Sequence, residues 1–242
     1  MPIYDIAGLK VKMDNCSGRT KKQAAAYLSQ DQNRNQKIDI DISIDKKRVE
    51  AQAKAHPGLS RDDWEYMLSG TAFYKGVLKF SGILLHSSCV VVDGVAYAFS
   101  ADSGTGKSTH TELWLKKFGV RAYMLNDDKP CIRKIDGRIY ACGTPWSGKY
   151  DYSAPEIVPL GGICFLERSK SNHIQPADKN SAIFNILAQT VRRLDESEMN
   201  KLLDILEDIL GSVPLYELSC NISQEAADLS YNTMKKTADE LK

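Results

Sequence analysis

The chain has 242 residues, 43% of them hydrophobic, which suffices for a sizeable core and argues against intrinsic disorder. Its 32 basic and 31 acidic residues leave a formal charge of +1, so no long-range field gathers nucleic acid or an anionic membrane, and any anion site must be local. Six scattered cysteines without a C-x-x-C pair, four distant histidines and no long apolar run predict reduced thiols in a cytoplasmic chain with neither a zinc centre nor a membrane segment.

In chain order, Leu9, Val11 and Met13 alternate within the segment Ile3 to Met13, and Ile38, Ile40, Ile42 and Ile44 alternate with polar residues; both predict half-buried strands. The polar stretch between them has room for a short helix over Gln23 to Leu28, and Asp45 to Lys54 predicts a solvated helix face. After the Pro57-Gly58 turn, Ser60 and Asp63 resemble an acidic capping box ahead of Trp64, Met67, Leu68 and Ala72 at helical spacing, with Tyr66, Phe73 and Tyr74 as packing aromatics. Cys89 to Val92 and Val95 to Phe99 flank Asp93-Gly94, a hairpin signal because both central residues of a type I′ turn need positive φ. A helix from about Gly106 to Lys117 stops at Phe118-Gly119, and Val120 to Leu125 is a buried strand ending on Asn126-Asp127-Asp128. Strand, crossover helix and strand predict a right-handed parallel unit whose two C-terminal ends lie side by side. Cys131 to Ile135 and Arg138 to Ala141 predict a second hairpin, Val158 to Leu166 another buried strand, and helices close the chain. The first of these is capped by Asp195 and Glu198, and the second carries Ala227, Tyr231 and Met234. The fold class is α/β (α+β): a mixed sheet over 83–242 bearing a phosphate loop and C-terminal helices, with an N-terminal β/α part over 1–82 packed on it.

The chemistry centres on Asp102, Ser103, Gly104, Thr105, Gly106, Lys107, Ser108 and Thr109, between a strand and a helix. Gly104 and Gly106 allow the turn that aims successive amides at phosphate oxygens, Lys107 suits the β- and γ-phosphates, and the Ser108 hydroxyl suits Mg²⁺. The pattern G-x-x-x-x-G-K-[ST] has Ala101 at its first glycine. Downstream, Asp127 and Asp128 supply paired carboxylates, one to organise a metal and one to accept the proton of an attacking hydroxyl. Lys129, Lys149, Arg192 and Arg193 are candidate extra cations, and Trp146 and Tyr150 beside Lys149 are candidates for an acceptor pocket.

His86-Ser87-Ser88 before a hairpin, then Ser103 to Ser108, then Asp127-Asp128 at a strand end resemble, in that order, the C-terminal catalytic domain of the HPr serine kinase/phosphorylase family. The same order is more distantly similar to ATP-dependent phosphoenolpyruvate carboxykinase. The resemblance spans roughly Gly82 to Glu167 and implies a mixed-sheet P-loop fold of that type, with ATP and Mg²⁺ as cofactors. It also implies His86 as an active-site residue, Asp128 as proton acceptor, Lys107 on phosphate, and Ser108 with Asp127 on the metal. Self-association into a homo-oligomer is implied by analogy alone. Where that family has a glycine-rich segment with a glutamate metal ligand, this chain has Gly143 to Lys149, and Met1 to Gly82 does not look like the regulatory domain of the bifunctional enzymes. Gly-Lys-Ser-Thr-His-Thr followed by Gly-Thr-Pro-Trp-Ser-Gly resembles a smaller kinase-like branch. The expected function is therefore an ATP-dependent kinase acting on a hydroxyl of a peptide, protein or small metabolite. The alternative is an ATP-binding regulatory module or switch with little catalysis; a carboxykinase-like lyase needs more metal- and carboxylate-binding groups than the chain offers.

Overall fold

The computed structural model describes residues 1–33, 35–190 and 193–240. The opening segment forms two strands rather than one. β1 (Ile3–Ile6) and β2 (Leu9–Asp14) pair antiparallel with Ile6 opposite Leu9, and Ala7 and Gly8 turn between them at φ of 53° and 73°. A two-residue turn needs left-handed backbone at both positions, and Ala is a poor advertisement for it. α1 (Gly18–Ala24) begins ahead of the predicted helix and tightens into a 3₁₀ turn over Ala25–Tyr27. β3 (Ile40–Ser43) lies parallel to β2 and buries Ile40 and Ile42. α2 (Lys46–Ala55), capped by Asp45, buries Val49.

α3 (Arg61–Val77) starts on the full Ser60/Asp63 capping box. Its buried face carries Tyr66, Ser69, Gly70, Phe73, Tyr74 and Val77, while Met67 is exposed and Trp64, Leu68 and Ala72 are half-buried. Tyr66, Phe73 and Tyr74 lie on the inward face and bury most of their area there, while Trp64 stays at its edge.

The remaining elements are β4 (Gly82–Leu84), β5 (Ser87–Val92), β6 (Val95–Ser100), α4 (Lys107–Phe118), β7 (Ala122–Asn126), β8 (Cys131–Ile135), β9 (Arg138–Cys142), β10 (Ile157–Arg168), β11 (His173–Pro176), α5 (Lys179–Ala188), α6 (Glu196–Ser212), β12 (Leu215–Cys220) and α7 (Gln224–Glu240). They build a mixed sheet in the order β4-β8-β9-β10-β6-β5-β7, with β12 added to β10 and β11 to β12. The short strands β11 and β12 interrupt what the sequence presents as a run of helices.

The crossover differs from expectation in one respect. β5 is antiparallel to both β6 and β7, so β6 and β7 run the same way, yet β5 separates them and their ends do not lie side by side. The Asp93-Gly94 hairpin folds β5 onto the edge of β6 that β7 would otherwise take, and α4 spans two strand spacings, roughly 10 Å. The start of β5 thereby enters the same end of the sheet as the glycine-rich loop that follows β6.

β5 and β6 are buried on both faces. Val90, Val92, Tyr97 and Phe99 pack with Trp114 of α4 and Tyr231 and Met234 of α7, whereas Cys89, Val91, Ala96 and Ala98 belong to a second core. That second core runs without a break from Ile6 and Val11 through Phe73 and Leu84 to Ile132 and Leu206. Trp146, proposed from sequence for an acceptor pocket, is 1% exposed. It stacks on Phe73 at 4.8 Å and donates to Ser69 Oγ at 3.1 Å, with Gly70 leaving room for its ring. It joins α3 to the 143–149 loop, and it also lines a cavity of about 230 Å³ with Tyr66, Lys129 and Gln189. All six cysteines are free, and among the described residues no helix is long and apolar enough to cross a membrane.

His110, on the inner side of α4, rests on Phe99 and sits 3.0 Å from Ser230 Oγ. Burial disfavours its imidazolium and lowers its pKa from 6.5 to about 4. The unfolded chain therefore binds more protons between about pH 4 and 6.5, and the stability linked to neutral His110 is complete above that window and lost as pH falls through it. The loss approaches about 3 kcal/mol. Urea unfolding of His110→Gln is expected to show a flatter dependence on pH across that window than wild type.

Candidate active site

The loop leaving β6 turns through Gly104 at φ 81° and Gly106 at φ 119°, two positions where any side chain would be strained. A Cβ at either would meet no protein atom within 4 Å, so the glycines face open space. Ala101 has no positive φ, which explains why alanine serves where the pattern has glycine. Arg168, at the end of β10, donates from Nε to Thr105 O at 3.0 Å and from its terminal nitrogen to Gly104 O. It holds those carbonyls on one side, so the Gly106 amide, across the same peptide from the Thr105 carbonyl, is turned to the other.

Lys107 is 8% exposed and folds over the loop, donating to Ala101 O at 2.9 Å and Asp102 O at 3.3 Å. Burial pulls its pKa below the ordinary lysine value, with Asp128 opposing the shift and Lys129 adding to it. An entering phosphate would offer this ammonium a better partner than two carbonyls.

Ser108, at the start of α4, donates to Asp127 Oδ1 at 2.8 Å, and Ser88 of β5 donates to the same oxygen at 2.6 Å. The Asn126 side chain shapes the turn that carries the acid pair, accepting from the amides of Asp128 at 3.0 Å and Lys129 at 2.7 Å. Asp128 then faces three groups: the Tyr66 hydroxyl at 3.3 Å, Lys129 Nζ at 3.5 Å and His86 Nε2 at 3.7 Å. Tyr66 also accepts from the Gly148 amide at 3.0 Å, and burial, helped by the Asp128 charge, raises its pKa so that the phenol stays protonated.

Gln189 completes the row. Its Nε2 donates to Asp102 Oδ1 at 2.9 Å, so its Oε1, 2.8 Å from His86 Nδ1, must accept. His86 therefore carries its proton on Nδ1 and turns a lone pair on Nε2 towards Asp128. Its pKa is lowered, first by burial and then by Lys129 and Lys107, which keeps the ring neutral at pH 7.

A groove of about 400 Å³ opens onto Ser108, Asp127 and Asp128, walled by Arg19, Tyr66, Met67, Lys149 and Tyr150. The Arg19 guanidinium lies 3.7 Å above the Tyr66 ring. Lys149 is thus near the acid pair, as its sequence position suggests. Arg193 is exposed ahead of α6 and does not line this groove, and Arg192 lies outside the described residues. Asp102, Ser103 and Gly104 are exposed, and Thr105 and Thr109 half-buried, around the loop.

Among the described residues no three His, Cys, Asp or Glu gather to hold a metal. Mg²⁺ needs no such cage, since it keeps several waters and binds through one or two carboxylates plus substrate phosphates. Ser108 and Asp127, already within hydrogen-bond distance of each other, fit that requirement.

Tyr66, Gln189, Arg168 and Arg19 belong to the candidate site although motif reading does not single them out. Ser88 is the last residue of the His86-Ser87-Ser88 motif, and Tyr66 reads from sequence as a packing aromatic; Gln189 and Arg168 have no local signature.

No family model matches the chain, and no curated protein matches it. Among solved structures, the HPr(Ser) kinase/phosphatase from Coxiella burnetii is similar over 63% of this chain and 97% of that one, with a TM-score of 0.37 and 11% sequence identity. A likeness of that degree carries no argument about the site, whose reading stands on the distances above.

Removing the Gln189 acceptor should release the His86 tautomer. Ring-nitrogen NMR near pH 7 is expected to show a single Nδ1-protonated form in wild type and a mixture in Gln189→Leu; a single form in both would mean that Gln189 does not set it.

Proposed function

We propose that the chain is an ATP-dependent kinase that transfers the γ-phosphoryl group to a hydroxyl of a peptide, protein or small metabolite. The reading is supported above all by the 2.8 Å hydrogen bond from Ser108 to Asp127, which joins the phosphate loop to the acid pair at the mouth of a groove.

In this reading the loop amides and Lys107 hold the nucleotide phosphates. Ser108 and Asp127 would hold Mg²⁺, which when bound neutralises charge on the phosphate oxygens. An acceptor hydroxyl enters from the groove and gives its proton to an Asp128 carboxylate oxygen. Its oxygen forms the new bond to the γ-phosphorus while the bond to the bridging oxygen breaks, and that electron pair leaves with ADP; the products are a phosphate ester and ADP. Tyr66 and Lys129 keep Asp128 oriented, and the unprotonated Nε2 of His86 is poised to take the proton onward. Catalysis rests mostly on positioning and charge neutralisation, so each of these groups contributes by where it is held.

The competing reading, a nucleotide-binding switch with little transfer, differs in what Asp128 does. With γ-labelled ATP, Mg²⁺ and a panel of hydroxyl-bearing peptides and metabolites, Asp128→Asn is expected to lose roughly 10²- to 10⁴-fold in transfer rate with ADP affinity kept. Lys107→Ala is expected to lose the affinity itself. Nucleotide binding without transfer to any acceptor, together with unchanged ATP turnover in Asp128→Asn, would establish the switch instead.

A further inference from the structure

The cavity of about 230 Å³ beside the acid pair has no part in the transfer described above. It is lined by Tyr66, Met67 and Gly70 of α3, Leu84 of β4, Trp146 and Gln189 among others. Tyr66 and Met67 also wall the groove that opens onto Ser108, Asp127 and Asp128, so the two spaces adjoin at those side chains.

We infer that this cavity receives a large apolar side chain of the acceptor, and that the acceptor is a peptide segment carrying that side chain within two residues of its reactive hydroxyl. The inference rests on the kinase reading above and adds the chemistry of the acceptor.

The lining selects against polar groups because its own are already engaged. Tyr66 donates its hydroxyl to Asp128 at 3.3 Å, Thr71 donates to Met67 O at 2.8 Å, and Trp146 Nε1 donates to Ser69 Oγ at 3.1 Å. Gln189 spends its amide on Asp102 and His86, and the Lys129 ammonium turns to Asp128 at 3.5 Å. A polar side chain entering here would exchange water for groups that already have partners. What the walls offer instead is the rings of Tyr66 and Trp146, the Leu84 side chain and the bare backbone of Gly70. These walls are set in advance, Trp146 by its stack on Phe73 and Tyr66 by its bonds to Asp128 and Gly148, so an occupant need not order them.

Size separates a side chain from a whole ligand. The volume falls below the roughly 300–1,000 Å³ usual for small-molecule sites, so the rest of the acceptor lies outside, in the groove of about 400 Å³. Leu59, Met67 and Tyr150 stand 40%, 38% and 66% exposed around that groove, apolar surface that a peptide covers as it passes. The reach agrees as well. Asp128 is 3.3 Å from the Tyr66 hydroxyl, and residues of an extended chain follow one another at about 3.3–3.6 Å, so a side chain one or two positions from a hydroxyl at Asp128 meets the Tyr66 ring.

The test uses γ-labelled ATP, Mg²⁺ and short Gly/Ala peptides with a single central serine, leucine being placed in turn at each of the two positions on either side. Wild type is expected to favour at least one leucine peptide over its leucine-free parent by about tenfold or more in kcat/KM. Thr71→Phe, which fills the cavity from α3, should bring that ratio to about one, and Met67→Ser, at the exposed rim, should lower it several-fold. ADP affinity by calorimetry reports that each variant is folded; if Thr71→Phe loses it, the wild-type scan and Met67→Ser decide. Peptide transfer indifferent to leucine at every position, transfer to hydroxyl-bearing metabolites alone, or a preference undiminished in the folded variants would overturn the assignment and leave the kinase reading standing. If ADP binds and no peptide or metabolite is phosphorylated, the kinase reading fails and this assignment fails with it.

Discussion

One carboxylate oxygen holds the parts of the site together. Asp127 Oδ1 accepts from Ser88 on β5 and from Ser108 on α4, while Asp127 itself follows β7. Three elements distant in sequence are thus tied at a point where a half-buried charge needs donors, and two hydroxyls meet that need. The strand order is what permits it. With β5 between β6 and β7, the start of β5 stands beside the loop and brings both Ser88 and His86 to the acid pair.

The N-terminal residues contribute nothing to the glycine-rich loop or the acid pair, yet they wall the groove in front of them. α3 presents the Tyr66 hydroxyl to Asp128 and the Gly148 amide, Arg19 of α1 covers the Tyr66 ring, and Gln23 donates to Gly148 O at 2.9 Å. Trp146, stacked on Phe73, fixes the same loop from beneath. The continuous core beneath these contacts makes α3 a rigid wall of the groove rather than a neighbouring appendage.

The row Asp102, Gln189, His86, Asp128 shows how a neutral amide sets the state of its neighbour. A carboxylate accepts only, so Asp102 orients the Gln189 amide, and the amide in turn dictates which ring nitrogen of His86 is protonated. The consequence appears at Asp128, two side chains away, as a lone pair rather than a hydrogen facing its carboxylate.

Much of this was legible in the residues alone. Gly104 and Gly106 stand where the backbone needs positive φ, Asp93-Gly94 and Asp136-Gly137 mark their hairpins, and Ser60/Asp63 and Asp195/Glu198 cap their helices, because each depends on a few neighbouring residues. The sequence by itself therefore determined the loop, the acid pair and most of the elements around them. What only the tertiary structure decided is the company those residues keep: β5 interposed between β6 and β7, Trp146 turned into the core, Arg168 on the loop carbonyls, and Gln189 reaching His86 across 103 residues. Local backbone preference acts over a few residues, whereas a partner so far along the chain is set by strand order and packing, which no single stretch encodes.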